Sequence, residues 1–268
     1  MADLKGRIAL VTGASRGVGR GIAEGLAEAG ATIYLTARSS SSSEPPEPGT
    51  LEATAASVAA LGGRPVAVEL DHADDDAVAA LFRRIEAESG RLDLLVNNAY
   101  PWPRPGRRPL RFWEAPLSAW DDQAAVGLRG YYVAAALGAR LMVAQGNGLI
   151  VNVSSAGTDA YAADHALNTI YGVAKAGTDR MARDMASELE AHGVAALALV
   201  PGAVRTEATP DAVGNDGVAR RHQSPRFVGR SVAALAMDPD IMEKTGGRYR
   251  VDELVREYRF SEPGWETA

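Results

Sequence analysis

The spacing of its apolar runs constrains this chain more than any other feature. Ile8–Thr12, Thr32–Thr36, Val66–Leu70, Leu92–Val96, Leu149–Val153 and Val194–Val200 are short and mostly lack polar alternation. Strands of that kind are buried on both faces. Stretches of helical length separate them: Gly17–Ala29 before Gly30, Thr50–Leu61 before Gly62-Gly63, Asp74–Glu88, Leu117–Gln145 and Thr169–His192. A helix between two strands returns the chain to the same end of the sheet, so the strands run parallel. Tyr249–Val251 reads as a last strand. The pattern predicts an α/β fold: a doubly wound parallel sheet of about seven strands with helices on both faces. No repeat or boundary divides it, so residues 1–268 are expected to form a single domain.

Charge and composition then remove whole classes of function. Lys plus Arg is 28 and Asp plus Glu is 34, a formal net charge of −6. Such a chain has no general attraction for phosphate backbones, which argues against nucleic acid as a partner. There are no cysteines, hence no disulfide, thiolate metal site or cysteine nucleophile. His72, His165, His192 and His222 show no metal-ligand spacing, and no metal is expected. No basic, apolar leader precedes Ile8, and the longest apolar run, Val194–Val200, is too short to span a bilayer. A cytoplasmic location without membrane contact is expected.

Three segments interrupt the alternation. Ser39–Gly49 is a low-complexity Ser/Pro stretch. The segments 100–118, with Trp102, Phe112 and Trp113, and 206–226 are expected to be substrate or lid loops. All three follow the C-terminal end of a strand, the edge at which open parallel sheets bind ligands.

The first strand runs into Thr12-Gly13-Ala14-Ser15-Arg16-Gly17-Val18-Gly19 and then into a helix. Glycines there let the backbone approach a pyrophosphate, and the helix N-terminus offers free N–H groups and partial positive charge. This makes the predicted sheet a Rossmann-type one. A methyltransferase or a sugar-nucleotide binder is an alternative reading of the glycine turn alone. NAD-binding sheets place a carboxylate after the second strand. Here Thr36-Ala37-Arg38 ends that strand, with no carboxylate before Glu44. Arg38 and Arg16 can instead hold a 2′-phosphate through paired guanidinium bonds. NADP(H) is therefore favoured over NAD(H), against the alternative of two solvated surface charges.

Tyr171-Gly172-Val173-Ala174-Lys175 puts a Tyr and a Lys on one face of a predicted helix. With 8 Tyr and with Lys5, Lys175 and Lys244 the only lysines, roughly 0.09 such pairs arise by chance. An ammonium beside a phenol favours the phenolate and fits the Tyr for proton transfer near neutral pH. Upstream, Asn152-Val153-Ser154-Ser155 ends a buried strand, where a hydroxyl can hold a substrate oxygen beside the Tyr.

Together, the glycine turn, Asn97-Asn98-Ala99, Ser154-Ser155, Tyr171/Lys175 and Pro201-Gly202-Ala203-Val204-Arg205-Thr206 resemble the short-chain dehydrogenase/reductase family, in its order, from Ile8 to Thr206. Phe112-Trp113-Glu114, Trp120-Asp121-Asp122 and Val126-Gly127-Leu128-Arg129-Gly130 look like one subgroup of that family. The resemblance implies an NADP(H)-dependent oxidoreductase with Ser155, Tyr171 and Lys175 as its catalytic residues. It implies nucleotide contacts from Gly13, Ser15, Arg16, Gly17, Val18, Gly19, Arg38, Asp71, Asn98, Ala99, Tyr171, Lys175, Pro201, Gly202, Val204 and Thr206. Within that set, Asp71 is expected at the adenine amino group, though alone it reads equally as a helix cap. Asn98-Ala99 and Lys175 are expected at ribose, and Val204 and Thr206 at the carboxamide.

In two places the chain departs from the family pattern. The stretch from Ser155 to Tyr171 is longer than usual and contains Tyr161 and His165. Ser154 remains an alternative to Ser155. Gly127 stands where many members carry an Asn that holds a water in their proton relay. A non-catalytic nucleotide sensor on the same fold, or an epimerase or dehydratase, are the competing functions. Trp102, Phe112, Trp113 and Tyr161 suggest an apolar carbonyl or alcohol substrate. The apolar helices Leu117–Gln145 and Thr169–His192 are those through which the family pairs, so a homodimer or homotetramer is expected.

Overall fold

A computed structural model describes residues 3–39, 49–101, 110–155, 169–207 and 222–261. Seven strands, β1 (Ile8–Thr12), β2 (Thr32–Ala37), β3 (Arg64–Glu69), β4 (Leu94–Asn97), β5 (Gly148–Val153), β6 (Val194–Val200) and β7 (Arg248–Arg250), form one sheet. Their order is β3-β2-β1-β4-β5-β6-β7, and every neighbouring pair is parallel. The order reverses between β1 and β4, so the loops after those two strands diverge and leave a crevice. Helices α1 (Gly17–Glu28), α2 (Leu51–Ala60), α3 (Asp75–Ser89), α4 (Ser118–Ala124), α5 (Gly130–Gln145), α6 (Thr169–Leu189), α7 (Pro225–Met237) and α8 (Val251–Tyr258) make up the rest.

The predicted fold class is the observed one. Alternate residues of each central strand feed opposite cores. Ala9, Val11, Ile33, Leu35, Val96 and Val151 pack under α1, α2, α7 and α8. Leu10, Tyr34, Leu95, Ile150 and Ala196 pack under α3, α5 and α6. The two edge strands are less buried than the pattern implied, with Arg64 and Glu69 of β3 exposed, since an edge has one neighbour and an open side.

Local chemistry sets the helix ends. Thr50 accepts from the Ala53 N–H at 3.2 Å, Asp74 from the Ala77 N–H at 3.0 Å, and Ser224 from the Phe227 N–H at 3.2 Å, directly ahead of Pro225. These are N-caps of the kind worth about 1 kcal/mol each. Helix α3 stops at Gly90, whose φ of 65° lies in the left-handed region.

One predicted helix is corrected. The stretch Leu117–Gln145 is not continuous: α4 ends at Ala124, a π-helical turn spans Ala125–Arg129, and α5 begins at Gly130. Thr169–His192 likewise ends as an α-helix at Leu189 and continues as a 3-10 turn, Glu190–His192. Helices α7 and α8 and the 3-10 turn Ile241–Lys244 were not placed individually in the sequence reading.

Helices α1 and α7 meet backbone to backbone. A Cβ at Gly25 would lie 2.3 Å from the Gly229 carbonyl carbon, and one at Gly229 would lie 2.0 Å from the Gly21 oxygen. Glu24, buried at this seam, is held by Arg20 at 3.0 Å, Arg226 at 3.2 Å and the Ser57 hydroxyl at 2.6 Å. Those partners keep its carboxyl below the usual range even though burial works the other way. Gly25→Ala should therefore lower the urea midpoint of unfolding, by roughly 1–3 kcal/mol in stability, because overpacked backbone has nowhere to go. A midpoint equal to wild type would show that the two helices separate freely.

Candidate active site

The site grows from the C-terminal ends of β1, β4, β5 and β6. Thr12, the polar last residue of β1, accepts two backbone N–H groups on its hydroxyl, from Asn98 at 2.9 Å and Ala99 at 3.0 Å. The Asn98 carboxamide returns N–H bonds to the carbonyls of Thr12 at 2.9 Å and Gly13 at 3.1 Å. Gly13 must be glycine twice over: its φ is +68°, and a Cβ would sit 2.7 Å from the Ala99 Cα. A Cβ at Gly19 would lie 2.2 Å from the Gly13 oxygen, so α1 can descend onto the turn only without one. Ser15 is buried and its carbonyl accepts from Thr54 Oγ1 at 3.3 Å, while Val18 packs on the core.

The residues present fit a nucleotide phosphate. The Gly17 N–H, at the start of α1, donates to the Glu207 carboxylate at 2.9 Å. A carboxylate here shows that this helix N-terminus accepts an anion. Pro201 to Thr206 are pinned beside it by Gln223, whose side chain donates to the Pro201 carbonyl. Its backbone also bridges Ala203 and Arg205. Thr206 lies against Gly17, its methyl 3.6 Å from where a Cβ there would be.

The structure places both candidate arginines at the same edge. Arg16 is the N-cap of α1, with extended backbone, and Arg38 follows β2. Arg38 lies 3.8 Å from Asp71, both side chains well exposed. Asp71 also accepts the Ala73 N–H at 2.9 Å. That bond belongs to the turn ahead of α3, whose N-cap is Asp74, so Asp71 is not the helix cap.

On α6, Tyr171 and Lys175 share one face beneath Ser155. Burial raises the pKa of the Tyr171 phenol, and the Ser155 side chain works against that rise. Ser154 turns inward: its hydroxyl is buried and has no partner among the described residues. Lys175 is 4% exposed. Its Nζ donates to the Val153 carbonyl at 2.7 Å and to Tyr131 Oη at 3.3 Å. The rings of Tyr100, Tyr131 and Tyr171 surround it, at 5.0, 5.2 and 5.9 Å from their centroids. Burial pushes its pKa down to about 7, with the charge of Asp179 opposing that fall. Arg248 lies 3.0 Å from Asp179 and donates to the Ser155 carbonyl at 2.9 Å, tying the serine to the lysine helix.

Sequence reasoning missed Thr12, Tyr100, Tyr131, Asp179, Arg248 and Glu207. Thr12 was legible in principle, as a polar end to an apolar strand. The others carry no local pattern. Trp102, Tyr161, His165 and most of the two expected lid loops lie outside the described residues. Among the described residues no cluster of three His, Asp or Glu side chains could hold a metal. None of the described helices is long and apolar enough to cross a membrane.

Comparison with known proteins matches this geometry. The family model for short chain dehydrogenase covers residues 7–216. The chain belongs to the short-chain dehydrogenase/reductase family, an oxidoreductase family that uses nicotinamide nucleotides. It is 42% identical over 273 residues to dehydrogenase/reductase SDR family member 1 of Mus musculus, covering 96% of this chain and 83% of that protein. The Homo sapiens protein of the same name is 41% identical over 272 residues, with the same coverage. This is the subgroup to which the sequence motifs pointed. Among solved structures, a metagenomic short-chain oxidoreductase in complex with NADP superposes with a TM-score of 0.73. It is 30% identical and covers 92% of this chain and 97% of its own.

The depressed Lys175 has a consequence for stability. Its pKa is about 7 folded, against an ordinary 10.5. Between those values the unfolded chain binds the extra proton, so native stability rises with pH across that window. Below pH 7 the full cost of the buried charge is present. Lys175→Met should remove that rise, and at pH 6 should be the more stable protein by on the order of 3 kcal/mol. Denaturant unfolding of both proteins between pH 6 and 10 measures this. Parallel curves would show that the ammonium carries no burial cost.

Proposed function

We propose that this chain is an NADP(H)-dependent oxidoreductase that interconverts a carbonyl and an alcohol, with Tyr171 as acid/base. The observation that carries the reading is the buried Lys175 ammonium 5.9 Å from the Tyr171 ring centroid on the same helix face. A bound nicotinamide nucleotide supplies or accepts the hydride at the substrate carbon. Ser155 holds the substrate oxygen. In reduction Tyr171 gives its proton to that oxygen, and in oxidation its phenolate removes one. Lys175, held by the Val153 carbonyl, stabilises the phenolate by charge and would hold the ribose of a bound nucleotide. Gly13, Ser15, Gly17, Val18 and Gly19 would line the pyrophosphate, with Asn98-Ala99 along the ribose and Pro201, Gly202, Val204 and Thr206 at the carboxamide. Asp71 would meet the adenine.

Arg16 and Arg38 support NADP(H), since the edge of β2 offers guanidinium groups where an NAD site needs a carboxylate. The sensor alternative lacks a reason for a tyrosine beside a buried ammonium. A single kinetic series decides between them, with a panel of ketones and aldehydes. NADPH should bind more tightly than NADH, and Arg38→Asp should narrow or reverse the gap. Tyr171→Phe should lose ~10²–10⁴-fold in turnover with nucleotide affinity retained. Ser155→Ala should lose activity where Ser154→Ala does not. Equal affinity for the two nucleotides would refute the cofactor assignment. A Tyr171→Phe protein at the wild-type rate would refute the mechanism.

Leu117, Trp120 and Tyr132 around α4 and α5, and Val173 on α6, leave apolar surface exposed. A single chain gains nothing from that exposure. The proposed assembly is a two-fold homo-oligomer joined through these helices. Light scattering at micromolar concentration should report at least a dimer, and a monomer would end the idea.

A further inference from the structure

Gly127 lies in the middle of the π turn and is buried. A Cβ built on it would stand 2.3 Å from Cε2 and 2.4 Å from Cδ2 of Tyr100, inside the ring's own contact surface. The Tyr100 ring therefore fills the space that any side chain at 127 would need. The fit runs in both directions, because the ring can lie there only over a glycine. Tyr100 is placed by the loop after β4, and its hydroxyl donates to Gln123 Oε1 of α4 at 2.6 Å. One end of the ring is thus anchored to the helix that leads into the π turn.

The other side of that ring faces the proton-transfer pair. Tyr100 meets Tyr171 edge to face, with centroids 5.1 Å apart and planes at 83°. Of the three rings around the Lys175 ammonium, that of Tyr100 is nearest, at 5.0 Å. An ammonium this close to an aromatic face is attracted by the ring quadrupole. Among the described residues, the groups facing Lys175 are Tyr100 from the β4 loop, Tyr131 from α5, the Val153 carbonyl from β5, and Tyr171 and Asp179 from α6.

We infer that Tyr100, seated on Gly127, is a positioning residue for the reaction: its ring fixes Tyr171 in place and closes an aromatic cage over the Lys175 ammonium. This rests on the reading of Tyr171 and Lys175 as the acid/base pair. Gly127 then has a positive role. It is the socket of Tyr100, and the π turn places that socket opposite α6. Without the ring, water reaches both groups. The phenol's pKa falls towards its ordinary value and the reacting hydroxyl loses its fixed direction.

The test separates this proposal from the one beneath it by reading Tyr171 directly. Tyrosinate absorbance of the nucleotide-free protein is followed against pH, and the part lost in Tyr171→Phe locates the Tyr171 titration. Tyr100→Leu should move that titration down by about one unit and lower kcat by roughly tenfold, with NADPH affinity within about twofold of wild type. Tyr100→Phe restores the ring without the hydroxyl and should recover the titration that Leu loses. Gly127→Ala should reproduce Tyr100→Leu, because its methyl displaces the ring. The double variant should be no worse than either single one, since both act through one contact. Circular dichroism checks that each variant is folded; should Gly127→Ala not fold, the Leu and Phe variants decide alone. An unmoved titration in Tyr100→Leu, or additive losses in the double variant, would overturn the role of Tyr100. If no carbonyl is reduced even by the wild type, the oxidoreductase reading fails, and the titration still decides whether the ring governs Tyr171.

Discussion

An ammonium carried into a protein interior must find acceptors and polarisable neighbours there, or give up its proton. Lys175 is in that position, and much of the surrounding architecture supplies its partners. The Val153 carbonyl comes from the end of β5, the Tyr131 hydroxyl from α5, and Asp179 from the next turn of α6. No single element provides them. They converge only because β4 and β5 are neighbours and because α5 and α6 cover the same face of the sheet. Asp179 in turn needs Arg248 from β7, at the far edge of the sheet. A pKa near 7 leaves the lysine close to balance between its charged and neutral forms at physiological pH. The arrangement suits a group that must respond to a proton moving on its neighbour.

The fold was legible because its signals are local. A strand buried on both faces announces itself by its apolar run, and a helix of Tyr171–Lys175 type by residues four apart. Those signals gave the sheet, and they set the glycine turn between β1 and α1 and Tyr171 and Lys175 together on α6. What escaped depends on contacts between distant positions. Nothing near Gly127 says why it is glycine; the reason is the ring of Tyr100, from another loop. The break in the helix at Ala125–Arg129 also had no sequence signal. The bonds of the Asn98 carboxamide to the carbonyls of Thr12 and Gly13, which brace the turn, had no local signal either. That Ser154, rather than Ser155, turns its hydroxyl inward needed the structure. That alternation is lost to sequence once the strand ends.

Two halves of the site are thereby fixed relative to each other by the sheet. The glycine turn and the start of α1 lie after β1, and the proton-transfer pair lies over β5, two strand spacings away, or about 10 Å. A line of side-chain bonds crosses that gap. Thr12 takes the N–H groups of Asn98 and Ala99, next to Asn97. Asn97 bonds Asn152 at 3.0 Å across β4 and β5, where the two stand in register. Asn152 reaches the Thr178 carbonyl at 3.4 Å, and the Thr178 hydroxyl bonds back to the Lys175 carbonyl at 2.8 Å. Every link in this line is buried or nearly so, so a partner lost anywhere would leave a desolvated amide. A nucleotide laid along the crevice as proposed would have its phosphates at one end of this line and its nicotinamide at the other. The span it would bridge is set by hydrogen bonds between neighbouring strands, and the proposed proton transfer would fall to the few side chains that project from the far end.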